Sequence, residues 1–519
     1  MSSSESQGRR SPFIRTILGL AVFLAVVAPF SAAWLLTEAS EATNPLSSLD
    51  AHTADPLMGA NTVPPQATQR TDGTGHFTLD NPKKGEKGGT VPGATSDRKT
   101  LEGYLLLEEA QANLVLRSKV IAGTVLDAVS GQPIPGAWVS AGTITSKTAP
   151  DGTFRLTDVP PNAELTILAA GYGKIKVPGG EAFAGEIRLK PQVVKSIYLS
   201  FYTVAWEERR EHLLDLVDKT ELNAVVMDVK SDQGLVNAAL GVPLAKESGA
   251  EVNLVKDMPG LLARLRAKNV YTIARIVVFK DKALASKRPD LAVKDSGTGR
   301  VYVDCEEQWW VDPYRREVWD YNIAIAERAA QLGFDEIQFD YIRFPSDCVR
   351  GSLVYSQEST AQSRMAAIEG FLAAASARLK PLGVFVGADT FGWTTVREDE
   401  MGIGQLIEGM VKHLDYLCPM VYPSTWGEGA LGVDYPAAQP YEIVYRSLKR
   451  GMERVGTLPT LRIRPWLQDF HDYNARKLRY AAWEIDQQRR AAEATNTLGW
   501  MLWNAGATYT EGALAKSSP

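Results

Sequence analysis

Three cysteines in 519 residues, Cys305, Cys348 and Cys418, with no CxxC spacing, exclude a zinc-ribbon site and a disulfide framework. A single Cys305–Cys348 bridge suits an oxidising compartment, although spacing alone does not decide it. Histidine is almost as scarce. His52 and His76 fall in a polar stretch, His212 in a helical pattern and His413 just before a strand, which leaves only His471 near a strand end. Without an HxH or HExxH pattern, no metal site is expected. No GxSxG nucleophile motif occurs. A net charge of -5 with no long basic stripe excludes nucleic acid as a partner, and nothing implies an organic cofactor.

What is present divides the chain into four parts. Arg9, Arg10 and Arg15 precede an apolar, uncharged run from Thr16 to Leu36, long enough to span a bilayer. Residues 1–37 therefore read as a transmembrane or signal segment, with the preceding basic residues in the cytoplasm and the rest of the chain outside it. Ser31-Ala32-Ala33 also offers a cleavage site, so the expected location is membrane-anchored and extracytoplasmic, or secreted if cleaved after Ala33. Residues 38–100 are rich in Thr, Pro, Gly, Asn and Asp without apolar periodicity, the composition of a disordered linker. Leu101 to Leu116 reads as a short helix.

Residues 119–190 carry short alternating strands separated by turns: Val120–Val125, Ala137–Val139, Phe154–Leu156, Leu165–Ala169 and Glu186–Leu189. This is sandwich-like spacing. The run GTVLDAVSGQPIPGAWV, followed by APDGTFRLTDVPP and AAGY, resembles the carboxypeptidase regulatory-like domain, a small Ig-like β-sandwich. The resemblance implies an accessory or spacer module.

From Lys195 the pattern alternates strand and helix. Candidate strands are Ser196–Phe201, Ala224–Val229, Tyr271–Phe279, Glu336–Phe344, Val384–Asp389, Tyr416–Tyr422, Leu461–Leu467 and Leu498–Trp503. Helical patterns between them include Glu207–Lys219, Met258–Lys268, Arg315–Leu332, Ser363–Leu379, Pro440–Arg450 and Ala475–Ala494. Eight such units over residues 195–510 predict a closed α/β (β/α)8 TIM barrel. A doubly wound sheet would place a glycine-rich loop after the first strand, where the chain reads Ser200-Phe201-Tyr202-Thr203-Val204-Ala205-Trp206.

Barrel enzymes carry their chemistry at strand C-termini. In order, these ends supply Tyr202, then Asp228 and Lys230, then Arg275, then Asp340 and Arg343. Asp389 and Trp393 follow, then Tyr422 and Trp426, then Trp466, Gln468 and Asp469, and last Trp503 and Asn504. If Ile337, Phe339 and Tyr341 pack outward, Gln338 and Asp340 point into the barrel. Two carboxyl groups with aromatic faces and hydroxyl-binding side chains are what glycoside hydrolysis requires. The bland alternatives are an ion pair of Asp340 with Arg343 or another base, an N-cap role for Asp389, and tryptophans that merely fill the core. Lys230, flanked by Asp228 and Asp232, is expected to have a raised pKa and to hold carboxylates in place, which disfavours a Schiff base.

The segments VVMDVKSDQG, EIQFDYIRFPSD, GADTFG, LCPMVYPSTW and RPWLQDF resemble a bacterial glycoside hydrolase family long catalogued as a domain of unknown function and distantly similar to the α-amylase-like clan. The resemblance spans Lys195 to Ala507. It implies Asp340 as nucleophile, Asp389 as acid/base and Asp469 as a substrate-orienting carboxylate. The clan, however, has Glu at the strand-five position and an arginine before, not after, the strand-four Asp. Glu428 is the alternative proton donor. The expected function is an exported, membrane-tethered hydrolase of a polysaccharide or cell-envelope glycan, with Arg343, Lys230 and Asp228 supporting Asp340. The alternative is a non-catalytic glycan-binding or envelope-scaffolding protein on a degenerate barrel.

Overall fold

The computed structural model describes residues 119–160, 162–179, 185–346, 352–456 and 462–516. The apolar span Thr16–Leu36, the linker 38–100, the short helix expected over Leu101–Leu116, and Cys348 lie outside the described residues. Cys305 is disulfide-bonded and Cys418 is a buried free thiol. Among the described residues, no helix is long and apolar enough to cross a membrane.

The first part is a sandwich of β1 (Lys119–Asp127), β2 (Trp138–Ala141), β3 (Ile144–Lys147), β4 (Thr153–Val159), β5 (Glu164–Leu168), β6 (Ile175–Pro178) and β7 (Glu186–Leu189). One sheet runs β4-β1-β7 and the other β3-β2-β5-β6. Alternation selects the core: in β4, Phe154, Leu156 and Val159 are buried while Arg155 and Thr157 face out. Val125, Val139, Leu165, Ile167 and Leu189 fill the space between the sheets.

The second part is the expected barrel. Its strands are β8 (Val194–Leu199), β9 (Ala224–Lys230), β10 (Tyr271–Val277), β12 (Glu336–Asp340), β14 (Phe385–Phe391), β15 (Tyr416–Met420), the pair β16 (Arg462–Ile463) and β17 (Trp466–Gln468), and β18 (Gly499–Trp503). All pair in parallel; β14 meets β15, and β18 returns to β8, closing the ring. A small antiparallel pair, β11 (Lys294–Asp295) with β13 (Leu353–Val354), sits outside it. β16 and β17 are two pieces of one barrel strand, broken at Arg464-Pro465 because proline lacks the N–H that the ladder needs. β9 and β10 are buried along their whole length, as strands covered on both faces must be. At the closing seam Gly499 has φ +100°, and a Cβ there would stand 1.7 Å from the Val194 carbonyl oxygen, so only glycine fits.

The helices begin where side chains satisfy their first N–H groups. Asp257 accepts from Gly260 N–H at 2.9 Å and Asp281 from Leu284 N–H at 2.8 Å. The helix Arg316–Leu332 buries Val318, Ile325 and Ala329 along one stripe. The last long helix is shorter than its sequence pattern, spanning Ala482–Ala494 rather than starting at Ala475.

Sandwich and barrel belong to one compact unit. Leu168 and Ala170 of the sandwich share a buried cluster with Val194, Ala224, Tyr271, Phe385 and Tyr416. The last five stand at the first positions of their barrel strands, so the sandwich seals the N-terminal end of the barrel. Gly171 N–H donates to the Tyr416 hydroxyl at 3.1 Å, and Lys174 pairs with Asp335 at 3.2 Å. The opposite, C-terminal end is left for chemistry.

Candidate active site

Four consecutive barrel strands deliver four ionisable side chains to one place: Asp228 on β9, Arg275 on β10, Asp340 on β12 and Asp389 on β14. Arg275 holds them together. Its Nη1 donates to Asp228 Oδ1 at 2.6 Å, while Nη2 and Nε donate to Asp340 Oδ2 at 2.5 and 3.0 Å. Nε also stands 3.9 Å from Asp389 Oδ2. The guanidinium lies 5.5 Å from the Tyr198 ring centre and 5.2 Å from that of Trp503, favourable positions for a cation.

Each carboxylate is set differently. Asp228 Oδ2 accepts from the Tyr198 hydroxyl at 2.5 Å and from Phe201 N–H at 3.2 Å. Asp340 Oδ1 accepts from Tyr341 N–H at 2.6 Å. Tyr341 has φ +50°, a left-handed conformation costly for an aromatic residue and concentrated at functional sites. Asp389 is 1% exposed; its Oδ1 accepts from the Trp466 indole N–H at 2.7 Å and its Oδ2 has no hydrogen-bond partner. Burial, reinforced by the neighbouring Asp340, pushes the Asp389 carboxyl well above the usual carboxylate range. Burial likewise raises Asp228, against the pull of Arg275. For Arg275 itself, burial opposes the charge, but Asp228 and Asp340 outweigh it and keep the guanidinium firmly protonated.

A pocket of about 190 Å³ opens over this cluster. Asp340, Arg275 and Arg343 form its charged wall, and Tyr422, Trp466 and Trp503 are aromatic parts of the remainder. Asp389 does not line the pocket; it lies behind Trp466 and Arg275, which do.

Other sequence candidates are placed elsewhere. Arg343 lines the pocket but donates to Phe344 O and Ser346 Oγ at 3.2 and 3.0 Å, so the cation gripping Asp340 is Arg275 from the neighbouring strand. Lys230 is fully buried and turned away from the carboxylates, pairing with Asp281 at 2.8 Å and donating to the Val277 carbonyl at 2.7 Å. Its pKa is lowered by burial, against the pull of Asp281, and not raised as its sequence neighbours suggest. Asp469 accepts from the Thr510 N–H and hydroxyl at 2.9 and 2.8 Å, which makes it a clasp for the loop after β18 and not part of the pocket wall. Asn504 donates to the Asp469 carbonyl and accepts from Gly506 N–H at 2.9 Å. Gln468 is buried and bonded to Ser424. Trp393 and Trp426 pack on each other with ring centres 4.6 Å apart, outside the lining. Tyr202 and Glu428 are exposed, also outside it.

The sequence reading missed Tyr198, Tyr341, Phe391, Gln405 and Met420. Tyr198 had a usable signal, since it shares a strand face with Ser196. Tyr341 was expected to continue the outward row of Ile337 and Phe339; β12 ends at Asp340, and the positive φ turns Tyr341 into the pocket wall. Gln405 sits in a loop, where periodicity says nothing. It accepts from Phe391 N–H at 3.2 Å and reaches the Asp389 carbonyl at 3.4 Å. Among the described residues, no group of three or more His, Cys, Asp or Glu side chains is arranged to hold a metal ion.

Residues 196–509 match the family model described as "Putative glycosyl hydrolase domain", and residues 120–189 match the carboxypeptidase regulatory-like domain. No curated protein matches the chain. Among solved structures, a hypothetical protein from Ruminiclostridium thermocellum ATCC 27405 is 39% identical, the match covering 37% of this chain and 96% of that one, with a TM-score of 0.33. The PgaB (BpsB) glycoside hydrolase domain from Bordetella bronchiseptica is 12% identical, covering 60% and 94%, TM-score 0.40. A chitinase from Chromobacterium violaceum ATCC 12472 is also 12% identical, covering 62% and 96%, TM-score 0.37.

Proposed function

Because the chain belongs to the family of the putative glycosyl hydrolase domain, we propose that its barrel cleaves glycosidic bonds of a polysaccharide or envelope glycan, with Asp340 as nucleophile and Asp389 as acid/base. The observation that carries this reading is the pairing of two unlike carboxyl groups on adjacent strands. Phe339 and Ala388 are register partners on β12 and β14, so Asp340 and Asp389 follow side by side. Both stand close to Arg275 Nε, at 3.0 and 3.9 Å. Their Oδ2 atoms are therefore at most about 7 Å apart, which admits the retaining separation of about 5–5.5 Å.

A carboxylate oxygen accepts about two hydrogen bonds. Oδ2 of Asp340 is filled by Arg275, whereas Oδ1 takes one bond from Tyr341 and keeps a lone pair. That lone pair attacks the anomeric carbon as the bond to the leaving oxygen breaks. Asp389, kept protonated by burial and Asp340, carries its proton on Oδ2 and gives it to the leaving oxygen at the seam between Trp466 and Arg275. In the second step the Asp389 carboxylate takes a proton from water, the water oxygen bonds to the anomeric carbon, and Asp340 is released.

The run Thr16–Leu36 supports the further proposal that the enzyme is exported and held at the membrane by its N-terminal segment. Resistance to alkaline carbonate extraction, with the barrel open to added protease only from the outer side, tests that placement.

The test of activity is release of new reducing ends from a polysaccharide panel by the full-length chain in detergent. Asp340→Asn is expected to abolish release. Asp389→Asn is expected to lose the polymer but retain turnover of an aryl glycoside whose leaving group needs no proton. Equal release by wild type and Asp340→Asn sinks the assignment. The burial of Asp389 behind the pocket wall favours a second reading, a non-catalytic glycan-binding barrel, and binding without release from any glycan would select it.

A further inference from the structure

Asp389 is buried and does not line the pocket, so its proton has a wall to cross before it reaches a leaving oxygen. Its Oδ2, the oxygen not bonded to Trp466, has no hydrogen-bond partner. A side chain that carries the proton across must accept at one atom and donate from the same atom. The arginines and tryptophans of the pocket wall donate but cannot accept. Gln405 is held by its contacts to Phe391 N–H and the Asp389 carbonyl. Hydroxyls come from Tyr341 and Tyr422 alone. Tyr341 faces Lys280, whose Nζ stands 4.8 Å from its ring centre, and its carboxylate neighbours are Asp340 and Asp232. Tyr422 remains.

The chain delivers Tyr422 from the strand beside Asp389. Asp389 and Cys418 are register partners on β14 and β15. Every second residue of β15 and its extension faces inward: Tyr416 and Cys418 lie in the buried cluster, Met420 and Tyr422 on the pocket wall. Past Met420 the chain turns, because Val421 N–H bonds back to the Pro419 carbonyl at 3.1 Å. Pro423 restricts Tyr422 to an extended backbone, with φ -62° and ψ 121°. The Thr425 N–H and hydroxyl close on the Tyr422 carbonyl at 2.9 and 2.7 Å. Phe470 packs edge-on against the ring, 5.5 Å between centres. The ring is thus fixed at both ends of its bond to the backbone, while its hydroxyl has no hydrogen-bond partner among the described residues.

The electrostatic setting agrees. Burial lifts the Tyr422 hydroxyl far above the ordinary tyrosine range, and Asp389, ahead of Asp340, adds to the rise against the pull of Arg275. Both carboxyl groups therefore act on this one hydroxyl, Asp389 more strongly. A phenol in that position keeps its proton, so it can hand one on only as it receives another.

We propose that Tyr422 is the proton relay between the buried Asp389 and a leaving oxygen in the pocket; this rests on the glycosidase reading. As Asp340 Oδ1 bonds the anomeric carbon and the bond to the leaving oxygen breaks, that oxygen takes the Tyr422 hydroxyl proton. Tyr422 Oη takes the Asp389 proton, directly or through one water. Asp389 ends as the carboxylate and Tyr422 stays neutral. In the second step water gives a proton to Tyr422, and Tyr422 gives its own to Asp389. The water oxygen bonds the anomeric carbon as the bond to Asp340 breaks.

The test is Tyr422→Phe in the full-length chain in detergent, beside Asp389→Asn and the double variant. Tyr422→Phe is expected to lower kcat/KM about a hundredfold on the polymer, and about tenfold less than that on an activated aryl glycoside. The double variant is expected to lose little beyond the larger single loss on the polymer, because the two groups act as a unit. Equal losses on both substrates would make Tyr422 a binding residue. Losses that multiply in the double variant would make the groups independent. Either result overturns the relay, as does wild-type turnover of the polymer by Tyr422→Phe. Melting temperatures of the same proteins need no activity. The two single shifts are expected not to add in the double variant, and additive shifts overturn the pairing. Non-additive shifts, with no release from any substrate by the wild type, remove the glycosidase and keep Tyr422 as the proton partner of Asp389.

Discussion

Arg275 places two N–H donors on a single oxygen of Asp340, Nη2 at 2.5 Å and Nε at 3.0 Å, while Nη1 takes Asp228 at 2.6 Å. A planar fork spanning two carboxylates is geometry that arginine supplies and lysine does not. Arg275→Lys keeps the charge and loses the fork. Its expected result is a folded protein with a melting temperature lowered by several degrees and kcat reduced by about a hundredfold. Arg275→Ala leaves two buried carboxylates without their cation and is expected to cost about 3–5 kcal/mol. Urea denaturation of both variants, beside turnover of Arg275→Lys, checks the pair; wild-type turnover in Arg275→Lys would show that the fork is dispensable.

Asp389 sets the pH behaviour. Its folded-state pKa is raised by burial and by Asp340, so the folded protein binds that proton more tightly than the unfolded chain does. The resulting stability is complete below the ordinary aspartate value of about 3.9 and is lost as pH rises through the raised value. Asp389→Asn is expected to remove this loss and gain stability relative to wild type as pH increases. In the proposed reaction the same ionisation forms the basic limb of kcat/KM. Denaturation midpoints across pH, beside a pH–rate profile, test both; parallel stability curves for the two proteins would contradict the raised pKa.

Trp466 tunes that ionisation. Its indole N–H donates to Asp389 Oδ1 at 2.7 Å and favours the charged form. Trp466→Phe keeps an aromatic wall and removes the donor. The basic limb of kcat/KM is expected to move to higher pH, and a shift to lower pH would reverse the role assigned to this bond.

Lys230 is predicted to serve the fold and not the chemistry. It is fully buried against Asp281, so Lys230→Met strands a buried carboxylate and is expected to cost about 3–5 kcal/mol. Borohydride in the presence of carbonyl compounds is expected to leave the wild-type mass unchanged. A reduced adduct at Lys230 would return the Schiff-base chemistry disfavoured above.

The seam between sandwich and barrel is testable at Gly171. Its φ is +86°, and a Cβ there would stand 2.2 Å from Leu498 Cδ1. Gly171→Ala is expected to destabilise the protein by about 1–3 kcal/mol through overpacking and backbone strain. Because the damage falls on an interface that both parts share, one cooperative transition is expected to move as a whole. A sandwich that melts at its wild-type temperature while the barrel shifts would show the two to be uncoupled.

The order of elements was legible because the barrel repeats one physical pattern, apolar strands alternating with amphipathic helices. Glu207–Lys219 appears with the bounds its periodicity gives. The strand over Leu461–Leu467 was less well defined, since Pro465 splits it in a way that hydropathy does not register. At the site, alternation correctly sent Asp340 inward. It could not identify which cation would meet it, because Arg343 is close in sequence whereas Arg275 arrives from another strand. Lys230 failed for the same reason: its sequence neighbours Asp228 and Asp232 suggested one electrostatic setting, and Asp281 supplied another. Gln405, in a loop, left no periodic trace.

The parallel seam between β8 and β18, where Gly499 packs against Val194, joins the two ends of the barrel sequence. A ribosome releases β8 early and β18 nearly last, so for most of synthesis the nascent sheet has two unpaired edges that invite wrong partners. The sandwich, emerging earlier and complete once β7 has paired with β1, can finish first and offer its Leu168–Ala170 surface as a floor. A message truncated before codon 499 therefore yields not a slightly shortened enzyme but an open, adhesive sheet, a substrate for chaperones and proteases.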